Sequence, residues 1–162
     1  MRAYQQLCGL ALALDQVGDR WKLLIVRDLI LGPQRFGELK ASLRGITPNL
    51  LAARLKDLTA AEVIEKQDPR GYALTKRGRE LVPAVFALSR WGAGRFDPGL
   101  AKPNRRRARW MMTSVLSRMQ PLGIDWAVVV EVDGESFTAW ERAGVVQVVD
   151  EAGPTVDEVW RP

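Results

Sequence analysis

The chain has 162 residues, 47% hydrophobic and 27% charged, long enough for one domain with an appendage or two small ones around a real core. It carries no histidine and a single cysteine, Cys8, which removes Ser-His-Asp and Cys-His dyads and the usual zinc ligand sets. No closely spaced carboxylate pair sits in an apolar setting, so neither an enzyme nor a bound metal or cofactor is expected.

In chain order, Leu7, Leu10, Leu14 and Val17 recur at three and four, which predicts a helix with one buried stripe. Gly18 and Asp19 break it. A second helix follows in "RWKLLIVRDLILG" and stops at Gly32-Pro33. "RFGELKASL" predicts a short third helix packing through Phe36, Leu39 and Leu43, and Gly45 turns the chain. In "GITPNLLAARLKDL" Thr47 is an N-cap and Pro48 takes the first helical position, where a missing N–H costs nothing.

"VIEKQDPRGYALT" reads as two short strands around Asp68-Pro69-Arg70-Gly71, a sequence that fits a type I turn. Thr75 then caps a fifth helix, "KRGRELVPAVFALSRW", which Pro83 should bend. Helix, helix, short helix, tight turn, capped helix and hairpin is the order of a winged helix–turn–helix. The Gly- and Pro-rich stretch 93–104 reads as a linker. "RRRARW" opens an amphipathic helix to about Met119, and period-two patterning after Pro121 predicts an antiparallel sheet. Its turns fall at Asp133-Gly134 and Ala143-Gly144, and "DEVWR" is a candidate fourth strand. The expected class is α+β: a winged helix–turn–helix domain at 1–92, a linker at 93–104, and a small helix-plus-sheet unit at 105–162.

Charge is unevenly spread. Residues 1–109 carry a net +11 and residues 110–162 a net −6. A basic body with an acidic tail is compatible with polyphosphate binding, and also with a plain solvated basic surface. The longest apolar runs are strand-length, and the N-terminus lacks the shape of a signal peptide, so a cytoplasmic address without membrane contact is the expectation.

On a helical wheel Leu51, Leu55 and Leu58 form a narrow core seam, while Asn49, Ala53, Lys56 and Ala60 lie roughly opposite. A small, polar outward face lets a helix sit deep in a major groove, with Asn49 and Lys56 in reach of base edges or phosphate. The bland alternative is a solvent face built of good helix formers. Arg54 lies on the flank of the seam. Arg35, ahead of the third helix, and Thr47 are candidates for holding the DNA backbone. Lys66 on the hairpin stem and Arg70 at its tip are candidates for minor-groove phosphate. Cys8, in "LCGLALAL", reads as a small buried hydrophobe with nothing local to lower its pKa. "RRRAR" (105–109) reads as the solvated start of a helix, or as a basic patch. The tryptophans at 91, 110, 126, 140 and 160 fit core or dimer packing better than a cofactor box.

Cys8, Gly18-Asp19-Arg20-Trp21, Gly-Pro-x-Arg-Phe-x-Glu-Leu (32–39), Thr-Pro-x-x-Leu-x-x-Arg-Leu (47–55) and Leu-Thr-x-x-Gly (74–78) stand together over residues 7–92. In this arrangement the chain resembles the HxlR-type winged helix–turn–helix regulators. The resemblance implies a bacterial, homodimeric transcription regulator that binds double-stranded DNA and pairs through the first and last helices of this domain. It further implies a phosphate contact for Arg54, against which a structural ion pair stands as the alternative, and a sensor of thiol-reactive compounds for Cys8. Two departures are visible: a short wing, and Asn49 where the family commonly has lysine. From about Arg105 the tail, through "VDGESFTAWERAGVVQV", resembles the sterol-carrier-like domain of some relatives. The reading is a repressor that enters the major groove with helix 47–60, with a small-molecule effector as a further candidate partner. The rivals are an apolar-ligand sensor using the tail sheet and a protein-interaction module.

Overall fold

A computed structural model describes residues 3–95, 107–132, 134–142 and 145–150. The chain divides into two compact units: Met1–Leu29 with Pro33–Val82, and Ile30–Gly32 with Pro83–Pro162. The expected linker at 93–104 falls outside the described residues from 96 onward. So do most of the two turns of the tail sheet and the candidate strand at 157–161, with Trp160.

The first unit is helical with a small hairpin. Helices α1 (Gly9–Val17), α2 (Lys22–Leu29), α3 (Phe36–Ser42) and α4 (Pro48–Ala60) precede strands β1 (Ile64–Gln67) and β2 (Gly71–Leu74), and α5 (Lys76–Arg79) follows. Helix α4 packs against α1 and β1, and α2 against α3 and β2. Leu51, Leu55 and Leu58 are buried, as are Ile25, Val26, Leu39, Leu43, Ile46, Val63 and Ile64. Each such side chain contributes about 1.5–3 kcal/mol by leaving water. Gly45, at a φ of +87°, makes the tight turn between α3 and α4 that a β-carbon would disfavour.

Three local expectations are corrected. Leu7 and Leu10 are exposed rather than buried, because α1 begins only at Gly9 and turns Ala11 inward with Val17, the one fully buried member of the expected stripe. Phe36 also remains open to solvent, since the buried face of α3 runs through Leu39 and Ser42. The predicted bent fifth helix is two helices, α5 and α6 (Val82–Ala93). Pro83 stands in the first turn of α6, where no intrahelical N–H is needed, so the chain restarts there instead of bending.

The second unit contains α6 beyond Val82, α7 (Arg107–Leu116) and strands β3 (Trp126–Val132), β4 (Glu135–Arg142) and β5 (Val145–Asp150). The sheet is an antiparallel meander in the order β3-β4-β5, as the alternation predicts. Its register sets Trp126 opposite Glu141 and Trp140 opposite Gln147. Leu31, Ala108, Met112, Leu116, Phe137, Ala139 and Val148 form the core. Glu141 is fully buried and accepts from the N–H groups of Leu122 and Gly123 and from the Trp126 indole, at 2.7, 2.8 and 2.9 Å. A carboxylate so satisfied fastens the approach to β3. Arg109, expected in a solvated helix start, is buried at 3% exposure, because α7 turns this position into the unit with Ala108 and Met112. Among the tryptophans, Trp140 is buried, Trp110 and Trp126 are half-buried and Trp91 is exposed.

Candidate nucleic-acid interface

Helix α4 is presented from its N-terminus outward. The Thr47 hydroxyl accepts from the Leu50 N–H at 3.3 Å and Pro48 occupies the first turn. This satisfies one of the orphan donors of the helix start. With the leucine seam buried, Asn49, Ala53, Lys56 and Ala60 all face solvent. The outward surface is therefore small side chains interrupted by one amide and one ammonium, a shape compatible with close approach to a groove floor.

Arg54 lies apart from this face. Its Nη2 is 3.1 Å from Asp19 and its Nη1 3.3 Å from Asp57, and its side chain is only 21% exposed. Lys22, at 7% exposure, bonds the Gln16 carbonyl at 2.8 Å and approaches Asp57 at 3.5 Å. Asp19 also accepts from the Trp21 N–H at 2.9 Å. Burial raises the Asp19 pKa, but the Trp21 N–H and the Arg54 guanidinium more than offset this and hold it below the usual carboxylate value. Sequence reading missed Asp19, Lys22 and Asp57. The Arg54-x-x-Asp57 spacing, one helical turn, was the available signal.

The hairpin places the remaining cations. Gln67 pairs with Gly71, so Asp68, Pro69 and Arg70 form a three-residue loop rather than the tighter predicted turn, and the Asp68–Pro69 bond is cis. Gly71, at a φ of +97°, closes the loop in a conformation open to glycine. Arg70 is exposed at the tip, and Lys66 is exposed but within 3.1 Å of Asp68. Gln34 and Tyr72 exchange both backbone hydrogen bonds, at 2.9 and 2.8 Å, adding a bridge beside β2. Arg35 reaches across, its Nε donating to the Pro69 carbonyl at 3.3 Å, while its backbone N–H bonds Glu38 at 2.7 Å. The start of α3 and the wing loop are thus held together by Arg35.

Cys8 is exposed at the N-cap of α1, which corrects the buried reading. The backbone N–H of Ala11, and then that of Leu10, lower its pKa against a smaller opposing effect of burial. The thiolate is the nucleophile, so a lowered pKa moves the reactive form to lower pH. Alkylation of the intact protein by iodoacetamide should show a rate midpoint below the ordinary thiol value of about 8.5. A midpoint at or above that value would mean that the helix start does not stabilise the thiolate. A groove of about 500 Å³ runs beside α1, lined by Gly9, Leu12, Gln16, Val17, Arg77 and Leu81. Among the described residues, no cluster of three or more His, Cys, Asp or Glu could hold a metal, and no helix is long and apolar enough to cross a membrane.

A family model described as HxlR-like helix-turn-helix matches residues 16–99. An uncharacterized HTH-type transcriptional regulator of Mycobacterium tuberculosis is 40% identical over 86 residues, 49% of this chain and 54% of its own. The uncharacterized HTH-type transcriptional regulator YvaP of Bacillus subtilis is 35% identical over 92 residues, 53% of this chain and 85% of its own. Among solved structures, PA1607, a candidate transcription factor, aligns with a TM-score of 0.52 at 39% identity, covering 61% of this chain and 73% of that one. The redox regulator HypR in its reduced form aligns with a TM-score of 0.50 at 30% identity, covering 54% and 92%. This chain spans about half the length (54%) of the mycobacterial relatives it matches. The named relatives are transcription regulators, not enzymes.

Proposed function

As the chain belongs to the HxlR-like helix-turn-helix family, we propose that it is a sequence-specific DNA-binding transcriptional regulator whose α4 enters the major groove. The observation that carries the reading is the two-sided character of α4: a fully buried leucine seam on one side, and Asn49, Ala53 and Lys56 in solvent on the other. In this reading Asn49 would bond an adenine edge and Lys56 guanine or phosphate. Thr47 and Arg35 hold the backbone near the start of α4 and the wing, and Lys66 and Arg70 meet phosphate beside it.

A homodimer acting as a repressor fits best. Tyr4, Leu7, Leu10 and Leu12 around α1, and Leu88 and Trp91 on α6, are large apolar side chains that one chain leaves exposed. A second copy pairing through these two helices would cover them. Cys8 lies at the start of that α1 surface, and the groove beside it offers room for a small-molecule effector. This placement, and the redox regulation stated for HypR, support a sensing role for Cys8. The helix-plus-sheet unit, with its resemblance to a sterol-carrier-like domain, would then stabilise or modulate the dimer.

The test uses a duplex selected by the full-length protein from a randomised pool. Lys56→Ala and Arg70→Ala should each weaken binding, and each should reduce the slope of log affinity against log salt by about 1. Unchanged affinity and slope in both variants would remove this surface as the DNA contact.

A further inference from the structure

An arginine in the middle of a recognition helix is ordinarily counted among the residues that touch DNA. The geometry around Arg54 points elsewhere, and the argument rests on the DNA reading of α4. We infer that Arg54 is a positioning residue: with Asp19, Asp57 and Lys22 it registers the recognition helix against the α1–α2 turn, and it does not touch DNA itself.

Arg54 offers two terminal nitrogens, and each is turned to a carboxylate. Nη2 meets the Asp19 side chain from the turn between α1 and α2, and Nη1 meets Asp57 one helical turn onward in α4. Its Nε is buried and has no hydrogen-bond partner among the described residues. Both terminal nitrogens are thus engaged within the chain, and the Nε is closed off from solvent. Asp19 is committed on both oxygens, Oδ1 to the Trp21 N–H and Oδ2 to Arg54. Lys22 completes the chain by joining Asp57 to the Gln16 carbonyl in the last turn of α1.

Two physical consequences separate this role from a phosphate contact. First, a guanidinium spent on two carboxylates of its own chain neutralises no phosphate. Removing it should leave the counterion release on binding unchanged. Second, three of the four side chains are at least three-quarters buried. Deleting one partner leaves a charge without compensation and lets the helix shift. A shifted helix loses its alignment with base edges but keeps its phosphate attraction. Specific binding should fall while non-specific binding holds.

The experiment measures binding to the selected duplex and to a scrambled duplex across a salt series, for the full-length chain. Arg54→Gln should lower affinity for the selected duplex by roughly tenfold, the scale of coupling within one contact network. The salt slope and the affinity for the scrambled duplex should stay as in wild type. Asp19→Asn should reproduce that loss, and the double variant should lose no more than either single one. Arg54→Lys should fail to rescue, because an ammonium cannot bridge two carboxylates as a guanidinium does. It also keeps the charge if Arg54→Gln does not fold, which thermal melting by circular dichroism will show. A slope reduced as in Lys56→Ala, rescue by Arg54→Lys, or a neutral Asp19→Asn would each overturn the inference while leaving the DNA reading intact. If the wild-type chain selects no duplex, the DNA reading fails and the inference falls with it.

Discussion

Leu55→Ala should lower the unfolding free energy by about 2–5 kcal/mol, the range for removing a buried leucine where the surroundings collapse only partly. Leu55 is 2% exposed, and its seam neighbours Leu51 and Leu58 are wholly buried. The seam is what α4 uses to seat on β1 and α1, so the cavity would open beneath the helix that carries Asn49 and Lys56. Domains of this size hold only about 5–15 kcal/mol in total, and the loss is therefore a large share of it. Denaturant unfolding followed by far-ultraviolet circular dichroism reads the change as a lowered midpoint. A loss under about 1 kcal/mol, against the cost expected for a buried leucine, would mean that the seam is not the packing face. The outward face would then lose its argument as well.

The parts of this molecule readable in advance were those encoded within one or two turns of chain. Thr47-Pro48 ahead of periodic leucines marks a helix start by its own chemistry, and Thr47 caps α4 as read. Alternation in "WAVVVEV" and its neighbours marked strands, and the order of elements marked the α+β class. What stayed hidden depended on residues far apart in the chain. Arg54 has its i+3 partner Asp57 in view, but Asp19 is thirty-five positions away, and nothing local announces that the α1–α2 turn lies beside α4. Leu7 and Leu10 have the spacing of a core stripe, yet spacing says only that they share a face. The face of α1 that meets the rest of the unit runs through Ala11 and Val17, so of that stripe only Val17 is fully buried. Cys8 was misread for a related reason. An apolar neighbourhood in sequence suggested burial, whereas its position at the helix start leaves it exposed, with two N–H groups to stabilise the thiolate.

The wing is where a single atom should have the clearest effect. Gly71→Ala asks an L side chain to adopt a φ of +97°, in a region such residues rarely occupy. The added β-carbon would also overlap the Gln34 carbonyl and press on the Arg35 Cα, both rigid backbone. Strain of this kind costs about 1–3 kcal/mol where it is tolerated, and backbone overlap leaves little room for tolerance. The expected outcome is that the exchange between Gln34 and Tyr72 opens. The contact from Arg35 to the Pro69 carbonyl should go with it, because both hold the wing to the start of α3. Amide hydrogen exchange at Gln34 and Tyr72 should accelerate, and affinity for the selected duplex should fall at least as far as in Arg70→Ala. Arg70→Ala removes the tip cation but leaves the bridge closed, so its exchange rates should match wild type. If Gly71→Ala leaves those two amides protected, the wing is held by something other than this close approach.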